Sequence, residues 1–250
     1  MDEDEKYFKT GFLLGLREVT RPNLAFRLGI IWLILDPFIT SAIYAFLIVV
    51  LRGDAHGFSI VIGVLMLGVL NKPITSTMYK MRYEPFPLKH TSSRLIIYSL
   101  LTQYIIQSML IGIGGTLILA ILTEIPVTLF FVLPLACGLL SIVGVSLGLM
   151  IGPMQVSIRD ISKLVSYMLT LSFFGQAVIY AYSDTSGLHR EVLSVLPHTI
   201  AAEYIRSLLN DTQYPFSLSH ALTISIFWIV FSFLGILRYE KSRWRASTWG

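Results

Sequence analysis

The sequence predicts an all-α polytopic membrane protein. It is expected to have six transmembrane helices, an N-terminal amphipathic interfacial helix and short re-entrant external helices before the last span. Three observations carry that prediction. Of the 250 residues, 54% are hydrophobic and 14% charged, where soluble domains carry roughly 25% charged residues. The mean hydropathy is +0.71. The apolar residues gather in long blocks, several of them reaching the roughly 20 residues a helix needs to cross a bilayer, with none of the alternation of a membrane barrel. Backbone groups in hydrocarbon must be satisfied within their own segment, so these blocks read as helices.

The chain reads as one transmembrane unit over residues 1–250. It opens on MDEDEK, acidic where a secretory signal is basic, so no cleavable signal is expected. In the interfacial helix, residues 6–27, Phe8, Phe12, Leu16 and Val19 recur at helical spacing. Lys9, Arg17 and Arg21 lie elsewhere around it, as in a helix resting at headgroup level. Six spans are expected over residues 28–51, 58–79, 95–122, 127–152, 162–182 and 218–237.

The first span contains Asp36-Pro37. A carboxylate at membrane depth costs on the order of 2.5–3.5 kcal/mol, so Asp36 is expected to face the bundle interior or a wet cavity. Pro37 removes a backbone donor and is expected to bend the helix. Asn71, Lys72 and Pro73 interrupt the second span. The fourth carries Gly144, Gly148 and Gly152 at four-residue spacing, a face on which another helix can approach closely. The single cysteine, Cys137, lies within that span and excludes an intrachain disulfide.

The connection over residues 79–94, YKMRYEPFPLKHTSSR, is basic and aromatic, a composition that suits a contact surface for a soluble partner. Residues 183–217 hold two stretches of helical apolar periodicity on either side of Pro197, each too short to span. They read as two short helices dipping into the outer leaflet. Orientation follows from the basic residues of the connections. Sixteen of the nineteen fall on one side: Lys6, Lys9, Arg17, Arg21, Arg27; Lys72, Lys80, Arg82, Lys89, Arg94; Arg159, Lys163; Arg238, Lys241, Arg243, Arg245. Arg52, Arg190 and Arg206 fall on the other. Both termini are therefore expected in the cytoplasm. The net charge of +4 reflects this bias and gives no sign of nucleic-acid binding.

Several chemistries have no sequence support. The five histidines (His56, His90, His189, His198, His220) are scattered, without metal-ligand spacing. There is no GxSxG nucleophile motif and no GxxxxGK[ST] phosphate loop. No enzymatic activity and no cofactor are expected in this chain.

Three segments resemble one family. FRLGIIWLILDPFI, residues 26–39, resembles the start of the first span in ABC-2 type permeases of the polysaccharide-export group, where arginine, Leu-Gly and tryptophan precede an acidic or amide residue and proline. VSIRDISKLVSYMLTLSFFGQAVIY, residues 156–180, resembles their Arg-Asp segment leading into span five. VLPHTIAAEYIRSLL, residues 195–209, resembles their segment before the last span. The order and spacing extend over nearly all of the chain, closest in kind to exporters of capsular polysaccharide, O-antigen and teichoic acid. This chain has Val195-Leu196-Pro197 where that family often has Trp-Asn-Pro, and Asp36 where glutamate is common.

The resemblance implies a transport subunit in the cytoplasmic membrane of a prokaryote. It implies a second copy of the chain and a separate ATPase that holds ATP and magnesium. The cargo would be a lipid-linked polysaccharide. Pathway candidates are then Asp36, with Arg27 as a candidate ion-pair partner, and Trp32, Tyr44, Phe173, Phe174, Tyr180 and Tyr182, aromatics on which sugar rings can stack. ATPase-coupling candidates are Lys80, Arg82, Tyr83, Glu84, Phe86, Lys89, Arg159 and Asp160. External gate candidates are Pro197, His198, Glu203 and Arg206. An ABC-2 permease for a drug or lipid, and a membrane-embedded enzyme of lipid or glycan metabolism, remain alternatives.

Overall fold

The computed structural model describes residues 3–21, 27–52, 57–83, 92–158, 160–175, 178 and 180–246. Among them it is all-helical: α1 (Glu3–Thr20), α2 (Ile31–Arg52), α3 (Gly57–Tyr83), α4 (Ser93–Leu122), α5 (Leu129–Ser157), α6 (Ile161–Gly175), α7 (Gly187–Ser194), α8 (Pro197–Asn210) and α9 (Leu218–Ala246). Four segments of these helices are long and apolar enough to cross a membrane: Ser59–Met81, Ser93–Leu122, Leu129–Gln155 and Leu218–Lys241. Two shorter apolar segments, Ile31–Leu47 and Ile161–Phe173, accompany them.

The core lies where α3, α4 and α5 meet. Ile62, Leu65, Met66 and Val69 of α3 pack with Ile111 and Leu119 of α4 and with Leu129, Leu133, Cys137 and Leu140 of α5. The glycine row of α5 lies in this chain's own interior, against α3. A Cβ at Gly144 would stand 2.5 Å from the Leu70 carbonyl oxygen, and one at Gly148 would stand 2.7 Å from Thr77 Cβ. Apolar side chains gain little by leaving lipid for each other, so close backbone approach decides which helices pair. In α9, by contrast, only 11% of the most apolar window is buried, and Leu222, Ile226, Ile229, Val230 and Phe233 are exposed.

Three sequence expectations change. First, α3 runs unbroken through Asn71-Lys72-Pro73. Thr75 Oγ1 donates to the carbonyls of Asn71 and Lys72, at 3.2 and 3.1 Å, in the turn where proline has removed a backbone donor. Second, α6 ends at Gly175, short of residue 182. The Val178 and Tyr180 carbonyls, which a continuing helix would use internally, instead accept hydrogen bonds from Arg206.

Third, α1 ends at Thr20, short of residue 27, and packs on the bundle through its small residues. Gly11, Gly15 and Val19 are buried, while Phe8, Phe12 and Leu16 are exposed. A Cβ at either glycine would come within 2.7 Å of α4, at Tyr98 Cβ or the Ser99 carbonyl oxygen. α1 therefore runs along the first turns of α4. Arg94 pairs with Asp4 of α1 and with Glu240 of α9 at one end of that contact.

The long helices alternate in direction. Glu18, Lys80, Gln103, Gln155 and Ser162 gather at the end of the bundle beside α1, and α8 caps the opposite end beside Ser59 and Leu129.

Candidate functional site

A cavity of about 1550 Å³ opens at the α1 end. Five helices supply its polar lining beside Glu18 and Arg21 from the α1 end: Asp36 from α2, Lys72, Thr75, Ser76 and Lys80 from α3, Gln103 and Gln107 from α4, Gln155 from α5, and Ser162, Lys163 and Ser166 from α6. Trp32, Tyr79, Tyr104 and Tyr167 add aromatic surface. The cavity exceeds the roughly 300–1000 Å³ usual for small-molecule sites.

The wall against α1 is tied together. Glu18 receives Arg21 at 3.0 Å and Lys80 at 3.2 Å. Lys80 also donates to Gln103 Oε1 at 2.8 Å, and Gln103 Nε2 donates to the Glu18 carbonyl at 3.4 Å. Burial alone would raise the Glu18 carboxyl. The hydrogen bonds and charges of Arg21 and Lys80 outweigh it and hold the group below the usual carboxylate value. On the α5 side, Gln155 donates to the Met78 carbonyl.

Across from this network, Asp36 is exposed to the cavity. Trp32 lines the same wall one turn earlier on α2. Ser41 Oγ donates to the Pro37 carbonyl at 2.7 Å, within the turn that follows the proline. No ion pair joins Asp36 to Arg27 or to another cation among the described residues, and Arg27 is exposed in the turn before α2.

The other pathway candidates stand apart from this cavity. The Tyr44 and Phe173 rings meet at 4.6 Å between centroids, tilted by 42°, between α2 and α6. The Tyr180 hydroxyl meets His189 Nε2 at 2.9 Å. Tyr182 is buried against Phe216 at 4.4 Å, with Arg190 over its ring at 4.9 Å. The Phe174 side chain lies outside the described residues.

Of the coupling candidates, Glu84, Phe86, Lys89 and Arg159 lie outside the described residues, as do the side chains of Arg82 and Tyr83. Lys80 reaches inward to Glu18 and Gln103. Asp160 is exposed directly before α6, its carbonyl accepting from the Leu164 amide at 3.0 Å.

The gate candidates form a buried clamp. Pro197 opens α8 at its first turn, where its missing N–H costs nothing. Glu203 and Arg206, 7% and 5% exposed, pair at 2.6 Å. Arg206 also donates twice to the Ser59 carbonyl of α3, at 3.0 and 2.9 Å, and to Val178 O at 3.1 Å. Glu203 accepts from the Tyr182 amide at 3.2 Å. A Cβ at Gly63 would strike Arg206 Nη2 at 2.6 Å, so glycine there makes room for the guanidinium. His198 is buried beside this clamp, and among the described residues neither ring nitrogen has a hydrogen-bond partner. Burial, and then the Arg206 charge, push its pKa down to about 3.

Sequence reasoning singled out Trp32 and Asp36 but passed over Lys72, Gln103, Gln107, Gln155 and Lys163 as site residues. The available signal was depth. Gln103 and Gln107 lie one turn apart in an apolar span, at a level that α3 reaches near Ser76 and Lys80. Among the described residues no group of three His, Cys, Asp or Glu side chains could hold a metal ion. The chain matches no known family model and no curated protein.

Proposed function

We propose that this chain is the membrane-spanning permease subunit of an ATP-driven exporter, moving a lipid-linked or lipid-anchored polysaccharide across the cytoplasmic membrane of a prokaryote. The single observation that carries the reading is the large cavity at one end of the bundle, into which five helices bring polar side chains. Charged groups at membrane depth are costly and mark pathways. This cavity offers carboxamides, hydroxyls and aromatic faces together, the surface a glycan uses. The resemblance of residues 26–39, 156–180 and 195–209 to ABC-2 polysaccharide permeases supports the same reading.

In it, α2 and α6 join the four longer helices to make six spans, with both termini cytoplasmic and the cavity facing the cytoplasm. A second copy of the chain covers the exposed sides of α2 and α6. A separate ATPase holds ATP and magnesium and docks through α1 and residues 79–94. Nucleotide binding biases the bundle between two arrangements. The chain itself makes and breaks no bonds.

The test is a gentle nanodisc or detergent pull-down of tagged protein from its native membranes, read by mass spectrometry. A phosphate-loop ATPase retained in stoichiometric amount is the expected result. An intact, homogeneous complex without one overturns the reading and brings forward a self-contained transporter or enzyme.

A further inference from the structure

Three histidines lie among the described residues, His189, His198 and His220, and all three are at the α8 end of the bundle. Their hydrogen bonds divide them. His189 Nε2 faces the carbonyl of Gly175, the last residue of α6, at 2.8 Å. His220 Nε2 faces the carbonyl of Ser194, the last residue of α7, at 2.9 Å. A carbonyl oxygen can only accept, so both rings carry their proton on Nε2. A second proton goes to Nδ1 and leaves each bond in place, now assisted by charge.

His198 is the opposite case. It is 2% exposed, and neither ring nitrogen has a partner among the described residues. The titratable and charged groups on α8 itself are Glu203, Tyr204 and Arg206. Those on the elements packed against it are His189, Arg190 and Glu191 of α7, Cys137 of α5 and His220 of α9, with Tyr182 and Tyr214 from the flanking connections. The stretch of α3 from Gly57 to Asn71 carries none. The charge that reaches His198 is that of Arg206. Glu203, the one acid of α8, is paired with Arg206 at 2.6 Å. An imidazolium here would stand out of water beside a guanidinium, so the seated helix excludes it. α8 takes up the proton only by bringing His198 to water.

The corner between α7 and α8 is fastened on one side only. The Ser194 and Val195 carbonyls are both held by α9, through His220 and through Trp228 Nε1 at 2.8 Å. Leu196 follows, and Pro197 opens α8. Acid therefore leaves α7 tied to α6 and α9 and acts against the seat of α8.

We propose that α8 is an acid-released cap: protonation of His198 frees the helix to swing about Leu196-Pro197, while His189 and His220 keep α7 in place. The transport reading enters only in calling this end of the bundle the outside. Release breaks the bonds of Arg206 to the Ser59, Val178 and Tyr180 carbonyls and uncovers the helix ends on which α8 rests. A histidine in water gains its proton near pH 6.5. The ratio of released to seated α8 then rises about thirtyfold from pH 7.5 to pH 5.

The experiment uses the full chain in phosphatidylcholine nanodiscs. Native-state thiol reactivity is read peptide by peptide by mass spectrometry, so that Cys137 is counted apart. Ala202→Cys places a thiol on the buried side of α8 and Leu193→Cys one on the buried side of α7, at residues 1% and 0% exposed. Each rate is divided by that of Leu188→Cys, at an exposed position, at the same pH, which removes the titration of the thiol itself. From pH 7.5 to pH 5 the Ala202→Cys ratio is expected to rise about thirtyfold and the Leu193→Cys ratio to stay level. His198→Gln and His198→Leu, one polar and one apolar, are each expected to abolish the rise. A flat Ala202→Cys ratio overturns the proposal, and so does an equal rise in both helices, which is general loosening in acid. These two readings need no substitution at His198. A rise that survives both His198 substitutions also overturns it. None of these outcomes depends on an ATPase, so the proposal and the transport reading stand or fall separately.

Discussion

At the scale of single residues, the far end of the bundle is decided by where Arg206 sends its hydrogen bonds. It serves the carbonyls of Val178 and Tyr180, beyond the end of α6, and that of Ser59 in the first turn of α3, and it neutralises Glu203. Removing one partner of such a buried pair is far costlier than never having built it. His198 stands beside this charge, fully buried and with no hydrogen bond to either nitrogen. Its folded pKa is near 3, against an ordinary value of 6.5. Between those values the unfolded chain binds a proton that the folded chain refuses. Stability is therefore full above pH 6.5 and falls as the pH drops through the window toward 3. Protection factors of α8, with the intrinsic exchange rate at each pH divided out, are expected to fall from pH 7.5 to pH 5, with His198→Leu flattening that dependence. An unchanged profile in the leucine variant would place the acid sensitivity elsewhere. The sequence shows a histidine after Pro197. It does not show that the histidine is buried, because burial is a property of the packed helices and not of the local sequence.

At the scale of elements, small residues choose the pairs. The row Gly144, Gly148 and Gly152 was legible as a close-packing face, but its partner was not, since α3 carries no matching row that names it. α1 packs by the same rule. Its aromatic stripe is the larger apolar signal, yet two glycines decide its packing and the aromatics remain outside. Gly148→Val is expected to lower stability by about 1–3 kcal/mol, because the added atoms meet Thr77 Cβ and the Ile74 carbonyl. Gly68, on the same α3 but with nothing within 4 Å of its Cβ position, supplies the control. Gly68→Ala should leave the melting temperature in detergent unchanged or slightly raised, alanine being the better helix former. If both variants melt alike, close approach is not what holds α3 to α5. The four long helices themselves were plain in the sequence, since length and hydropathy are local properties. The end of α6 was not, because it depends on the demand of Arg206 for carbonyls.

At the scale of the whole molecule, the distribution of charge is an argument about direction. Lys80, Arg94, Lys163, Arg238 and Lys241 all belong to the α1 ends of their helices, although they come from four separate stretches of chain. The alternation of long helices collects them, and the cavity is at that same end. Positive charge resists translocation, so that end should remain in the cytoplasm. This was readable from the sequence as a count. The cavity was not, because its lining is scattered from Glu18 to Tyr167 and each polar residue looks isolated within its own segment. Only antiparallel stacking brings them to one depth. Cys137 is fully buried, which gives a quiet background for testing the direction with an introduced thiol. Thr10 of α1 and Leu188 of α7 are both exposed, one at each end of the bundle. With an impermeant maleimide on intact cells, Leu188→Cys is expected to label at once and Thr10→Cys only after permeabilisation. The opposite pattern would turn the cavity toward the outside, where it could not load cargo for export.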